Sequence, residues 1–183
     1  MRLVRLILTI FGLSCLNLLL CLNGVGCSRD AEVKRDAIVT NRLWRIWHAL
    51  QASQGEADRF PASLARLETT AVEGIEFTCP GTGSQPGPLK TVEEWGDYIY
   101  VGGMSDDIPG GTLLMSPPEN HDGRYGYVML AAGAIRQVSP ALARRLVKEP
   151  WLTDSNATRE AINYMKQGLS VRIPKRLRPF YQP

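Results

Sequence analysis

An apolar run near the N-terminus constrains this chain more than any other feature. Arg2 and Arg5 precede Leu6–Leu22, whose few polar interruptions are mild, and the first acidic residue is Asp30. A positive flank, an apolar stretch and then small residues form the order of a secretory signal, in which the arginines stay inside. We therefore expect residues 1–26 to be a signal peptide or membrane anchor, with the rest of the chain on the exported side.

The fate of this segment has three alternatives. Leu6–Leu22 is almost long enough to span a bilayer as a helix, which favours an uncleaved anchor. The sequence Gly-Val-Gly-Cys at 24–27 resembles a bacterial lipoprotein box, in which small residues precede a cysteine that is lipidated and becomes the new N-terminus. Cys27 is therefore the candidate lipidation site. Ordinary cleavage without lipidation is the third alternative.

The cysteines predict neither a disulfide scaffold nor a zinc site. Cys15 and Cys21 lie inside the apolar run, where cysteine behaves as a small hydrophobic residue. Cys27 is the candidate lipid site, which leaves Cys79 without an obvious partner in the folded part. The 183 residues suffice for one ordinary domain, which has to be held together by packing.

The charge balance excludes a strong electrostatic partner for the chain as a whole. The chain has 21 Lys and Arg against 18 Asp and Glu, and removal of residues 1–26 takes away two arginines and leaves 19 against 18. This balance and the exported location argue against nucleic-acid binding. The C-terminus is basic, with Lys166, Arg172, Lys175, Arg176 and Arg178 and no acid. Two interpretations of it stay open, a contact with an anionic membrane or envelope and a solvated, frayed terminus.

Hydrophobic periodicity predicts one long amphipathic helix over residues 30–53. Val39, Leu43, Ile46 and Leu50 recur at helical spacing, and Gly55 supplies a stop. Trp44 and Trp47 widen this stripe. We expect both to fill the core, with an interface as the alternative.

Shorter elements follow, separated by loops at 81–88 and 102–123 that are rich in Gly and Pro. The predicted elements are a helical piece ending near Leu67, strands Ile75–Thr78, Tyr98–Val101, Tyr125–Ala131 and Ala134–Val138, a helix capped by Ser139 and running to Lys148, and a last helix from Ser155 or Asn156. We expect an α+β fold: an N-terminal apolar helix, a long amphipathic helix packed on a small antiparallel sheet, and short C-terminal helices. The domain ranges are 27–150 for the α+β domain and 151–183 for the C-terminal helix and basic tail.

Short motifs along the chain resemble bacterial type II secretion pseudopilin-like proteins. An apolar segment leads into an amphipathic helix, followed by Phe-Pro-Ala-Ser-Leu at 60–64, Cys-Pro at 79–80 and Tyr-Ile-Tyr at 98–100. The hairpin motif of that family, a His-containing turn, a strand and an Asp-Gly turn, is matched by His121 and Gly133, with Ala132 in place of the Asp. The resemblance implies a pseudopilin-like α+β domain for 27–150, anchored by its N-terminus. The leader lacks the cleavage and assembly signal of pilin-like proteins.

The candidate chemistry is sparse. His48 and His121 are the only histidines, which disfavours a histidine metal site. His121 and Asp122 are adjacent, but no Gly-x-Ser-x-Gly elbow accompanies them, so we expect no enzyme and interpret His121 as a turn residue whose ring bonds nearby backbone. A hydrolase that uses His121 stays open until its distance from a nucleophile is known.

Oxygen ligands are more plentiful than histidines. They stand in the second long loop as Asp106, Asp107, Glu119, Asn120 and Asp122. Calcium takes six to eight such oxygens, and the resemblance adds that some pseudopilins bind calcium in a comparable loop. Calcium is thus the one cofactor proposed, and solvated acidic turns are the alternative.

Two hypotheses for the function come from these features. The first is a non-enzymatic, membrane-anchored cell-envelope protein that acts through contacts with other envelope proteins. The alternative is a lipoprotein that binds a small ligand or an envelope polymer through its two long loops.

Overall fold

The structure, a computed structural model, describes residues 29–54, 58–105, 108, 110–152, 162–163, 166 and 168–181. The chain divides into two compact units, Met1–Ala37 and Ile38–Pro183. In the first unit the described residues, 29–37, are helical. None of the helices among the described residues combines the length and the apolar character needed to cross a bilayer. The predicted anchor and Cys27 lie outside these residues, and the second unit carries everything that follows.

The second unit has an α+β fold built on a five-stranded antiparallel sheet. Its strands are β1 (Ile99–Gly102), β2 (Thr112–Ser116), β3 (Gly126–Leu130), β4 (Ile135–Val138) and β5 (Ser170–Arg172). The strand order is β4-β3-β2-β1-β5, so the first four strands form a meander and β5 returns to pair with the free edge of β1. Tyr100, for example, lies opposite Leu114 on β2 and Arg172 on β5.

Helix α1 (residues 38–52) covers one face of this sheet. The four residues of its predicted stripe are fully buried, and they pack with Tyr100, Leu114 and Met129 of the three central strands. Each buried aliphatic side chain contributes about 1.5 to 3 kcal/mol. The predicted packing of the amphipathic helix on the sheet is confirmed.

The other face of the sheet is covered by α3 (Pro140–Lys148) and α4 (Arg178–Tyr181). The Ser139 hydroxyl caps α3 by accepting from the Leu142 N–H, as the sequence predicts. Leu177 and Tyr181 are buried against this face. The interpretation of the C-terminus as a frayed tail is therefore wrong, because β5 and these two anchors fold it onto the domain.

Short helices complete the unit. They are α2 (Val92–Trp95) and the 3-10 helices Leu64–Thr69, Gly74–Phe77, Leu89–Thr91, Pro118–His121 and Lys175–Leu177. Two predictions fail here. The expected strand Ile75–Thr78 is a 3-10 turn, closed by Thr78 N–H donating to the Ile75 carbonyl. The loop predicted over 102–123 contains β2, whose five residues are all buried and therefore show no alternation. Of the predicted last helix, 153–161 lies outside the described residues, and 162–163 and 166 are helical.

Candidate functional site

A buried polar network lies where the His-containing turn meets the sheet. We use this name for Asp97, Ser116, Asn120, His121 and Arg176. The Asp97 carboxylate is fully buried and accepts four hydrogen bonds of 2.5 to 2.6 Å. Its donors are the Cys79 N–H, the Thr82 and Ser84 hydroxyls and the Arg176 Nε. A carboxylate so far from water needs such partners, since an unpaired buried charge is very costly.

Asn120 connects this carboxylate to the histidine. Its Nδ2 donates to the Asp97 carbonyl at 2.8 Å and to the Ser116 Oγ at 3.3 Å, and its Oδ1 accepts from the Arg176 guanidinium. The Ser116 Oγ and the His121 Nε2 share a hydrogen bond of 3.0 Å. The network therefore joins β2, the turn after it and the C-terminal segment.

The ring of His121 is buried between two tyrosine rings and is not exposed to solvent. It stacks on Tyr125 at a centroid distance of 5.0 Å and meets the edge of Tyr127 at 5.3 Å. A serine hydroxyl beside an imidazole is the beginning of a nucleophile and base pair. Ser116 and His121 are both 0% exposed, however, and a substrate carbonyl has no access to the hydroxyl in this arrangement.

Asp122 follows His121 at the end of the turn. It adopts a left-handed conformation with φ 56° as the cap of the turn, and its carboxylate lies 3.3 Å from the Arg124 guanidinium at the surface. His121 thus lies beside the Ser116 hydroxyl, while the ion pair of Asp122 is with Arg124. The prediction that the His121 ring bonds backbone misses its serine partner.

The oxygens proposed for calcium have different partners. Glu119 accepts from the Tyr181 hydroxyl at 2.7 Å, the Asn120 oxygen accepts from Arg176, and Asp122 pairs with Arg124. Asp106 and Asp107 lie outside the described residues. Among the residues that are described, no three His, Cys, Asp or Glu side chains come close enough to hold a metal ion. A calcium site stays a prediction.

A surface groove runs beside α1, and we call it the α1 groove. Its volume is about 430 Å³. It is lined by Arg45, His48, Ala49, Ala52, Thr70, Ala71, Val72, Glu73 and Glu76. Arg45 forms an ion pair with Glu76, whose side chain is nearly buried while that of Arg45 is two-thirds exposed. The groove therefore offers small apolar side chains flanked by charges of both signs.

The two tryptophans of α1 have different roles. Trp47 packs against the core, and its Nε1 donates to the Ala131 carbonyl at 3.0 Å. Trp44 is 41% exposed, with its ring held edge-on to Trp47 at 5.3 Å and beside His48 at 5.4 Å. The prediction that both tryptophans fill the core is therefore confirmed for Trp47 and wrong for Trp44. Helical spacing alone does not show which side chains at the edge of a wide apolar stripe are exposed.

Gly133, the second residue of the hairpin motif, lies under Trp47. Its φ is +83°, and a Cβ there would come within 2.8 Å of the Trp47 ring. This turn needs glycine both for its backbone conformation and for the close approach of the indole. Gly133 therefore fixes how α1 sits on the β3–β4 hairpin.

A second groove of about 700 Å³ adjoins the first, and we call it the arginine groove. It is lined by Ala52, Ser53, Arg59, Pro61, Ala62, Ser63, Arg66, Thr69 and Thr70. Two guanidinium groups among hydroxyls suit an anionic group. No described residue of the long loops predicted to bind a ligand lines either of these two grooves.

Sequence reasoning missed three members of the network. Ser116 lies in a segment that is predicted to be a loop, and Arg176 lies in the C-terminus that is predicted to be a basic tail. Asp97 carried the one available signal, an acid directly before an apolar strand, where it is close to the sheet without interrupting it. No protein-family model, curated protein or solved structure matches this chain.

Proposed function

We propose that this protein is a non-enzymatic cell-envelope protein of pseudopilin-like fold, anchored by its N-terminal segment and acting through contacts with other envelope proteins. The observation that carries the proposal is Trp44, a large aromatic residue held in place yet 41% exposed beside the α1 groove. We assign the partner contact to this surface.

The chemistry of the surface favours a protein partner. Tryptophan and arginine are enriched among the residues that dominate binding energy in protein interfaces. Trp44 and Arg45 stand side by side here, and the ring contacts of Trp44 lower the entropy that it loses on binding. Arg45 and Glu73 supply charges of both signs at the groove, which suits a polypeptide better than a uniformly charged polymer.

The sequence supports the anchor, and the burial of the network supports a role without turnover. Residues 1–26 have the order of a targeting segment, and the apolar helix expected there would precede residues 29–37, which are helical. The only paired nucleophile and base that we identify among the described residues, Ser116 and His121, has no exposed surface. Its hydrogen bonds serve to hold the turn and the C-terminal segment.

The test is photo-crosslinking from position 44 in intact bacteria that express the full chain. A photoreactive phenylalanine derivative in place of Trp44 should give a crosslink to one envelope protein, and the same derivative in place of the exposed Gln137 on β4 should not. Glu73→Lys in the groove should weaken the crosslink, while Glu94→Lys on α2 leaves it unchanged. The same products from both positions would contradict a specific contact at α1.

A second candidate function is a lipoprotein that binds a small ligand or envelope polymer carrying an anionic group. The arginine groove favours it, because Arg59 and Arg66 flank a space of about 700 Å³. Lipidation at Cys27 would give a mass increase that Cys27→Ser abolishes. Titration of the full chain with inorganic phosphate and with a short anionic polysaccharide, against Arg66→Gln, would show whether the groove binds anions.

A further inference from the structure

The C-terminal segment and α3 form one folded layer on the sheet, which we call the basic layer. It comprises β4, α3 and the described residues from 166 to 181. Leu146 of α3 and Leu177 before α4 are 0% exposed, and Tyr181 is 7% exposed. The surface of the layer is therefore held on a core and does not belong to a loose tail.

The charges of this layer are strongly one-sided. Nine of its described residues are basic and none of them is acidic, and Glu149 follows directly after α3. Three of the basic residues pair with carboxylates, Arg145 with Glu149, Arg172 with Glu93 and Arg176 with Asp97. Lys166 lies over the Trp151 ring. Within the described part of the chain, the residues of the layer with no carboxylate inside 4 Å and no such ring contact are Arg136, Arg144, Lys148, Lys175 and Arg178.

An aromatic side chain stands among these cations. Phe180 is 53% exposed on α4, two residues after Arg178. Its neighbour Tyr181 is buried and donates a hydrogen bond to Glu119. Arg144 of α3 lies close enough to Tyr181 to oppose the rise that burial gives the pKa of that phenol, which places its charge next to α4. Phe180 is therefore displayed on a fixed helix within a positive field.

We propose that the basic layer docks on an anionic phospholipid bilayer, with its cations at the headgroups and Phe180 in the interface. Lys and Arg side chains near an anionic membrane surface each stabilise the bound state. An exposed aromatic ring between cations matches the apolar-and-basic pattern of surfaces that lie in a membrane interface. The proposal rests on the N-terminal anchor, because an anchored domain stays within reach of the bilayer and weak surface contacts then suffice.

The bilayer is a better match than an acidic protein or polymer. The five cations lie on four elements, β4, α3, the 3-10 helix Lys175–Leu177 and α4, so they are distributed over a surface rather than gathered in one cleft. A flat array of headgroups meets such a surface, and only a bilayer offers hydrocarbon to Phe180 beside its charges. A soluble acidic polymer is the competing occupant that the experiment has to separate.

The experiment uses the full chain in lipid nanodiscs, with the acetylation rates of single lysines followed by mass spectrometry. Lys148 and Lys175 report on the basic layer, and the exposed Lys90, outside the layer, is the internal control. In discs with anionic lipid, Lys148 and Lys175 should react at least about threefold more slowly relative to Lys90 than in neutral discs. Salt at about 1 M should remove the difference, because it shortens the screening length to about 3 Å.

Variants separate the aromatic contribution from general effects on the fold. Phe180→Ala should reduce the protection of Lys175, and Ile75→Ala, which truncates a side chain 41% exposed elsewhere, should not. Equal lysine ratios in neutral and anionic discs would overturn the proposal, as would protection by soluble polyglutamate without protection by anionic lipid. A chain that fails to enter neutral discs would contradict the anchor alone, since the lysine ratio measured with added anionic vesicles still decides the role of the layer.

Discussion

Arg176 donates a hydrogen bond of 2.5 Å from its Nε to Oδ1 of Asp97, a fully buried carboxylate that precedes it by 79 residues. The same guanidinium also donates to the Asn120 side chain, so one residue of the C-terminal segment binds two members of the network. Because Asp97 lies two residues before β1, this pair fixes the C-terminal segment beside the start of that strand.

The first prediction concerns that ion pair. Asp97→Ala removes the carboxylate that accepts from Arg176 and from three further donors, and the loss of one partner of a buried pair costs about 3 to 5 kcal/mol. In a domain of this size we expect the melting temperature to fall by about 10 °C or more. Thermal unfolding of the detergent-solubilised full chain, followed by near-ultraviolet circular dichroism, measures the change.

Glu93→Ala is the matched control. Glu93 pairs with Arg172 at 3.6 Å, and both side chains keep about a third or more of their exposure. Exposed pairs contribute about 0 to 1 kcal/mol. Similar losses in the two variants would show that the buried network has no special role in stability.

The second prediction concerns the hairpin turn. Gly133→Ala places a Cβ within 2.8 Å of the Trp47 ring at a φ of +83°, whereas Gly83→Ala has a similar φ of +75° and open space around it. Left-handed strain of about 1 to 2 kcal/mol applies to both. Gly133→Ala should lose about 1 to 3 kcal/mol more, since the indole has to move. Denaturant unfolding of both variants gives the difference, and equal losses would show that Trp47 yields without cost.

The sequence predicts those elements that depend on a local pattern. It does not predict a strand that is buried on both faces, or a contact between residues that are distant in the sequence. The stripe of α1, the cap of α3 and the hairpin around Gly133 all follow from short-range rules. Strand β2 is not predicted because its residues are buried on both faces and therefore do not alternate. The Gly-Gly and Pro-Pro pairs on either side of it are also typical of loops. The buried polar network could not be predicted for a different reason. Arg176 and Asp97 are 79 residues apart, and the residues around each of them carry no pattern that indicates the contact.

The third prediction concerns the serine beside His121. Ser116 has a base at 3.0 Å but no exposed surface, so a fluorophosphonate probe should not label it in the folded protein. The Ser116→Ala variant should also hydrolyse simple esters at the same background rate as the unmodified protein. Labelling of Ser116 in the native state, abolished by His121→Ala, would contradict the non-enzymatic account.

The fourth prediction concerns alkaline pH. Burial raises the pKa of Tyr98, Tyr100 and Tyr181 above the usual 10.0, with Cys79 adding to the rise at Tyr98 and Glu119 at Tyr181. Between pH 10 and these raised values the unfolded chain has released protons that the folded chain keeps, so the free energy of unfolding falls as pH rises above about 10. Below pH 10 these phenols make no pH-dependent contribution.

An absorbance titration of tyrosinate tests this sign. The three buried phenols should ionise only together with loss of tertiary circular dichroism, and Tyr100→Phe should shift the alkaline unfolding midpoint upwards. Ionisation of all the tyrosines near pH 10 with the fold intact would refute the burial that we assign to them.

The central claim is that the chain is exported and anchored by its N-terminus. Its most direct test is expression of the full chain in a bacterium with a C-terminal tag, followed by envelope fractionation and measurement of the mature mass. We predict a membrane-bound protein with its domain open to protease from the exported side, either at the intact 20.3 kDa plus the tag or as residues 27–183 carrying acyl chains on Cys27. A soluble chain in the cytoplasm, or an unmodified cleaved chain released from the membrane, would contradict the account.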